Sequence, residues 1–179
     1  RSGEFGLDTS EQPSVRGYEI KKKIGEGAYG VIHRAIQTAV GREVAVKIIH
    51  PQYANDPDFI RRFELEARTI SRLEHPHIAP LYDFWRDPSG AYLVMRLMGR
   101  GSLRDVISST ALSPDRAAKV IGQISGALSS AHRNGVAHGD IKPDNVLIDE
   151  AGMVDLNRTR LELDRLREAE VGAIDHLQY

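Results

Sequence analysis

Three glycines at the spacing Gly25-x-Gly27-x-x-Gly30 separate two stretches of strand-like alternation, residues 18–24 and 31–39. Glycines so placed let backbone amides approach phosphate oxygens that a Cβ would fend off. Between a strand and a helix this spacing would mark a dinucleotide-binding fold. Here it joins strand to strand, which argues against that fold. On their own the glycines also suit an ordinary hairpin turn, and both readings stand at this point.

Residues 1–16 lack an initiator Met, an apolar run and any periodicity, and are expected to be a disordered leader or cloning scar. Order is expected from about residue 17. After the two glycine-flanking strands, Gly41-Arg42 reads as a hairpin turn and 43–50 (EVAVKIIH) as a mostly buried, β-branched strand. Asp56-Pro57 opens a helix through Arg72, with Asp as N-cap and Pro at the first helical position. Residues 78–85 and 91–97 read as strands around the turn Asp87-Pro88-Ser89-Gly90. Beyond Gly99 the character becomes helical: a short helix over 102–109, then a longer one capped by Ser113-Pro114-Asp115 and ending near Asn134-Gly135. The expectation is a small sheet lobe hinged to a helical lobe, with a cleft between them.

Two side chains in the sheet lobe point toward that cleft. Lys47 lies among β-branched residues, where burial is costly unless a charge partner meets it, although a Lys on an exposed edge strand would look the same. Glu66 shares a helical side with Ala67, Ile70 and Leu73, which turns it inward; most helix acids are simply solvated. The helical part carries the run AHGDIKPDN, residues 137–145. An Asp two residues before a Lys and five before an Asn suits phosphoryl transfer. The acid accepts a hydroxyl proton, the Lys neutralises phosphate charge and the Asn carbonyl helps hold a metal.

Together these residues resemble a eukaryotic-type, bacterial-like Ser/Thr protein kinase domain over about 18–154. The resemblance implies an α+β, protein kinase-like fold: a five-stranded antiparallel N-lobe, a partial helical C-lobe and a C-terminal amphipathic helix. It implies ATP and Mg²⁺ as cofactors. Gly25, Gly27 and Gly30 would cover ATP, while Lys47, set by Glu66, would grip its α- and β-phosphates. Asp140 would orient and deprotonate the substrate hydroxyl, Lys142 would stabilise the transferred group, and Asn145 would hold one metal. The segments LEHPHI and YLVMRLMGRGSL are similar to the family as well. They imply Met95 at the back of the ATP pocket, backbone groups of Arg96 and Met98 hydrogen-bonding adenine, and Ile24, Ile32, Ala45 and Leu147 packing its faces. Lys142, two residues after Asp140, is typical of the Ser/Thr-specific branch.

The chain also departs from the family pattern. Gly139 stands where the family usually has Arg between His and Asp, a residue that normally pairs with a phosphorylated activation loop. The triplet HGD is similar, too, to small-molecule phosphotransferases of the aminoglycoside-kinase type. In register, Arg158-Thr159-Arg160 replaces Asp-Phe-Gly, which sets a cation where an acid would grip the metal. The segments are therefore expected as a leader (1–16), the N-lobe and hinge (17–98), a partial C-lobe with the catalytic loop (99–155) and a tail helix (156–179). That places truncation after the catalytic loop.

In the tail, Leu156, Leu163, Leu166, Ile174 and Leu177 share one helical face. This stripe either folds back over Val120, Ile121, Ile124 and Leu128 of the preceding long helix or pairs with a second chain. Two functional readings follow. One is an ATP-binding Ser/Thr kinase-like domain with weak or absent phosphoryl transfer to protein hydroxyls. The other is a non-catalytic pseudokinase or interaction module that dimerises or binds a partner through its tail.

Bulk properties narrow the partners. A net charge of −1, from 24 basic and 25 acidic residues, gives no pull toward nucleic acid or an anionic membrane. No apolar run is long enough to span a bilayer. The absence of cysteine excludes disulfides and is in keeping with a cytoplasmic protein. His75 and His77 have no third ligand spaced for zinc, and His138 reads as a packing residue.

Overall fold

The computed structural model describes residues 14–27 and 29–156. Its first lobe is a six-stranded antiparallel sheet with the spatial order β1-β2-β3-β4-β6-β5. The strands are β1 (Ser14–Val15), β2 (Tyr18–Gly27), β3 (Gly30–Gln37), β4 (Arg42–Ile49), β5 (Leu81–Asp87) and β6 (Gly90–Arg96). Between β4 and β5 lie a single-turn helix, α1 (Pro51–Ala54), and α2 (Pro57–Ser71). The second lobe holds α3 (Leu103–Ser109), α4 (Pro114–Arg133), a 3₁₀ turn at Pro143–Asn145 and the hairpin β7 (Val146–Ile148) and β8 (Val154–Leu156).

Alternation along β4 explains the two layers of the sheet lobe. Ala45 and Ile49 face α2 and join Leu93, Met95, Phe59, Phe63, Ala67 and Ile70 in one core. Val44 and Val46 face the other way, into a cluster with Tyr18, Trp85 and Tyr92, whose rings stack at centroid separations of 5.6 and 4.8 Å around Trp85. Helix α2 starts where the Asp-Pro pair demands. The Asp56 carboxylate accepts the N–H groups of Asp58 and Phe59, each at 2.8 Å, a cap worth about 1 kcal/mol. Phe63 carries the helix onto β5 through an edge-to-face contact with Phe84.

In the second lobe, Ser113 caps α4 by accepting the Arg116 N–H. The helix lays Val120, Ala127 and Ala131 against Val146, Ile148, Val154 and Leu156 of the hairpin. Burying an aliphatic side chain of this kind contributes roughly 1.5–3 kcal/mol. The hairpin is also stitched to the first lobe. Leu156 N–H donates to His77 O at 2.9 Å, and Ala79 N–H donates to Leu156 O at 3.1 Å.

Several details differ from the expectations. The five expected strands gain a sixth, because Ser14 and Val15 pair with Glu19 and Tyr18; order therefore starts ahead of residue 17. The β3–β4 turn occupies 38–41, with Arg42 already in β4. Leu156 completes β8, so a boundary between 155 and 156 cuts a strand. The α4 face is split: Val120 is buried on the hairpin, whereas Ile121 is 63% exposed. The rest of the tail stripe and Arg158-Thr159-Arg160 lie outside the described residues. Among those described, no helix is long and apolar enough to cross a membrane.

Candidate active site

A cleft of ≈ 430 Å³ opens between the lobes. It gathers Ile24 and Ile32 from β2 and β3, Ala45 from β4, Met95 and Met98 at the chain crossing, and Leu147 from β7. The apolar walls sit above and below a slot, because Leu147 lies on a strand held under the crossing segment. Arg100 N–H donates to Ile148 O at 3.1 Å, and Ile148 N–H donates to Gly101 O at 2.9 Å. The cleft adds Leu97, within the expected hinge, and residues that sequence reasoning passed over: Lys22, Arg34, Gly99, Gly101, Ser102, Asp105 and Asp144. Ser102 and Asp105 did carry a signal, the S-x-x-D spacing of a capping box. They form one at the start of α3. Hydrogen bonds from Ser102 hold the Asp105 carboxyl below the usual carboxylate range.

Arg96 turns its side chain out of the slot. It does not line this cleft, and its backbone N–H is already donated to Pro80 O at 3.3 Å. Its guanidinium points away, toward Asp155 Oδ2 at 3.4 Å and Asp149 Oδ2 at 3.9 Å. The geometry leaves Met98 and Leu97 as the crossing residues in the slot.

The glycine segment closes the β2–β3 hairpin, with Gly25 opposite Ile32 and Gly27 opposite Gly30. Register shifts between Ile20 and Gly25 bend β2 as it enters this tip. The glycines serve different ends. A Cβ at Gly30 would collide with the carbonyl of Ile48 and lie 2.9 Å from Ile49 Cα, so close packing on β4 requires glycine there. A Cβ at Gly27 would meet nothing within 4 Å among the described residues.

Lys47 is buried between its cross-strand neighbours Ile32 and Leu93. It shares the α2-facing side of β4 with Ala45 and Ile49. Glu66 is half-buried, next to buried Ala67 and three residues beyond buried Phe63. Leu73, expected on the same helical side, lies beyond the end of α2 and is buried in the core of the second lobe, whereas Ala67 and Ile70 pack in the sheet lobe.

Across the cleft, residues 138–145 fold into one hydrogen-bonded cluster. Gly139 takes φ +75°, a left-handed conformation that strains any side-chain-bearing residue. This turn lets Asp140 N–H donate to Nδ1 of buried His138 at 3.3 Å. Asn145 Nδ2 donates to both the backbone carbonyl and Oδ2 of Asp140, each at 2.8 Å. Lys142 Nζ lies 2.9 Å from the same Oδ2. The Lys142 hydrogen bond, with help from Asn145, holds the Asp140 carboxyl below the usual carboxylate range despite partial burial. Asp140 is thus an ionised acceptor at neutral pH.

Asn145 is fully buried, and its Oδ1 has no hydrogen-bond partner among the described residues. An orphaned buried carbonyl oxygen costs about 1–3 kcal/mol unless something meets it. It is the kind of hard oxygen donor that Mg²⁺ takes, so this residue fits a metal. Among the described residues no three His, Cys, Asp or Glu side chains converge on a metal position. The described chain therefore offers Asn145 with Asp140 beside it, and no fuller cage.

Comparison with known proteins places this geometry. The protein kinase domain profile matches residues 18–158. The serine/threonine-protein kinase PrkC of Bacillus subtilis is 39% identical over 138 residues, which cover 76% of this chain and 21% of that protein. The serine/threonine-protein kinase PknD of Mycobacterium tuberculosis is 37% identical over 151 residues, or 82% of this chain and 23% of that protein. PknL of the same species, also a serine/threonine-protein kinase, is 36% identical over 140 residues, covering 78% and 35%. The chain spans about a fifth to a third of the length of these curated relatives.

Proposed function

The chain belongs to the protein kinase domain family, and from that premise we propose that it is an ATP-binding, Ser/Thr kinase-like domain whose phosphoryl transfer to protein hydroxyls is weak or absent. The observation that carries this reading is the hydrogen-bonded cluster of Asp140, Lys142 and Asn145, whose neighbour Asp144 lines the apolar slot between the lobes. Ile24, Ile32, Ala45 and Leu147 pack the adenine faces, with Met95 behind and Met98 at the edge. The open space at Gly27 admits phosphate oxygens to the hairpin amides, and Lys47, set by Glu66, grips the α- and β-phosphates. Asp140, ionised and held by two hydrogen bonds from Asn145, orients a substrate hydroxyl and takes its proton. Lys142 is poised beside it to meet charge on the transferred group. Mg²⁺, held in part by Asn145 Oδ1, would neutralise the phosphate charge. The family pattern supplies a second acid for that ion where this sequence has Arg158. That single replacement is the reason transfer is expected to be weak.

The experiment is a thermal melt titrated with ATP, with and without Mg²⁺. Saturation at a hundredfold excess over Kd stabilises the fold by about 2.7 kcal/mol. A metal-independent shift supports nucleotide binding with impaired catalysis. A shift that requires Mg²⁺ would restore the full enzyme reading, and no shift on a cooperatively melting chain would remove the nucleotide. Labelled phosphate incorporation by parent and Asp140→Asn separates a weak enzyme from contamination: a large drop in the variant reveals transfer, and equal signals show there is none.

The second reading is an interaction module that pairs with another copy or a partner through the apolar stripe of 156–179. It draws support from Ile121, 63% exposed on α4, the helix whose apolar residues the tail stripe is expected to cover. Light scattering on the parent and on Ile121→Asp tests it. A dimer that dissociates in the variant supports pairing, and a monomer in both removes it.

A further inference from the structure

Arg96 was expected to serve the nucleotide through its backbone, and the structure turns its side chain to other work. It ends β6, directly before the segment that crosses between the lobes. Its guanidinium reaches two carboxylates of the β7–β8 hairpin: Asp155 within β8, at 3.4 Å, and Asp149 just after β7, at 3.9 Å. Asp155 is 1% exposed, and its Oδ1 has no hydrogen-bond partner among the described residues. A carboxylate in such a place is costly, and a cation beside it offsets part of that cost. Asp149 is fixed in turn, because its Oδ1 accepts Met153 N–H at 2.8 Å and so closes the hairpin. The hairpin connects directly to the chemistry: β7 begins at Val146, the residue after Asn145, and Val146 pairs with Leu156.

We propose that Arg96 is a positioning residue that clamps the β7–β8 hairpin to the chain crossing and thereby fixes the spacing between the adenine side of the cleft, at Met95 and Met98, and the Asp140–Asn145 cluster. The inference rests on the nucleotide reading above, and one arm of its test does not need a nucleotide. A ligand that touches only the adenine side, such as adenosine, is indifferent to the clamp. A ligand that spans both sides, such as Mg²⁺-ATP, depends on it. This split separates positioning from mere structural support, because a general loss of stability acts on both ligands alike.

The test compares the full chain with Arg96→Met and Arg96→Lys. Hydrogen exchange is read at the amides of β7 and β8 against those of β3 and β4. The clamp predicts at least tenfold faster exchange in the hairpin of Arg96→Met, no change in β3–β4, and near-parental behaviour in Arg96→Lys. Unchanged hairpin exchange overturns the proposal, as does equal acceleration in both regions. In parallel, thermal-shift affinities for adenosine and Mg²⁺-ATP are measured. A roughly tenfold weaker Mg²⁺-ATP affinity with adenosine unaltered, restored by Lys, supports positioning; equal losses or no losses overturn it. If the parent binds neither ligand, the nucleotide reading fails on its own, and a hairpin whose exchange is unmoved by Arg96→Met still overturns the clamp. Should Arg96→Met not fold, Arg96→Gln carries the same comparisons.

Discussion

The carboxamide of Asn145 spends both of its N–H bonds on Asp140, one to the backbone carbonyl and one to Oδ2, each at 2.8 Å. One buried side chain thus fixes the position of the acid and leaves its own Oδ1 without a partner among the described residues. Asn145→Ala removes two hydrogen bonds and with them the restraint on the Asp140 carboxylate. The expected cost is about 1–3 kcal/mol of stability, read as a lower midpoint in urea. Any Mg²⁺-dependent part of the ATP-induced thermal shift should vanish in the same variant.

Gly30 and Gly27 lie opposite each other at the hairpin tip, yet they should respond oppositely to the same change. Gly30→Ala forces a methyl group against the Ile48 carbonyl and to 2.9 Å from Ile49 Cα. Backbone on a central strand cannot yield as a side chain can, so about 1–3 kcal/mol of destabilisation is expected. Gly27→Ala meets nothing within 4 Å among the described residues and should change stability by no more than about 0.5 kcal/mol. Its effect should appear in ATP affinity, about tenfold weaker, because the methyl fills space a phosphate would use. Denaturant melts and nucleotide titrations of both variants check the pair.

Much of this architecture is legible in local pattern. The strand at Arg42–Ile49 shows itself because β-branched residues surround one Lys, and α2 because Asp-Pro sets its first turn. The Asp140, Lys142 and Asn145 cluster is legible because six consecutive positions contain it. What escaped was either too short to have a period or too distant to have a spacing. Two residues of β1 carry no alternation, and four residues of α1 carry no helical repeat. The packing demand on Gly30 arises from β3–β4 register, and the reading that gave all three glycines to phosphate had no access to it. Arg96 and Asp155 are 59 positions apart, and no motif announces their meeting.

Lys47 tests whether burial of a cation serves folding or ligand. Its side chain lies buried between Ile32 and Leu93, and methionine matches its length without the desolvation cost of a charge. In the proposed function Glu66 sets Lys47, and removing one member of such a pair leaves the other uncompensated, so Lys47→Met is expected to melt about 1–2 kcal/mol below the parent. The ATP-induced shift should also be largely lost, while the shift given by adenosine should persist. A variant that loses both shifts, or loses neither, would separate Lys47 from the phosphates.

Arg96 and Asp155 give a pH dependence whose sign is fixed by burial. Burial raises the Asp155 carboxyl above its ordinary value of 3.8, Arg96 pulls it down, and Asp149 pushes it up again. In the window between 3.8 and the raised value the unfolded chain has released this proton while the folded chain keeps it. The unfolded state therefore binds fewer protons, and the stability contributed by this group falls as pH rises through the window. Arg96→Met removes the main cation, extends the window upward and leaves a buried carboxylate without its partner near neutrality. Breaking a fully buried pair costs about 3–5 kcal/mol; with the Arg96 side chain 45% exposed, about 1–2 kcal/mol is expected at pH 7.5. The deficit relative to the parent should shrink at pH 5, where Asp155 is closer to its protonated form. Adding Asp155→Asn to the variant should remove that pH dependence altogether, because the group that titrates is gone. Urea midpoints of parent, single and double variants at the two pH values measure it; a deficit that stays constant would mean Asp155 is charged throughout, and one that grows on acidification would mean the sign is wrong.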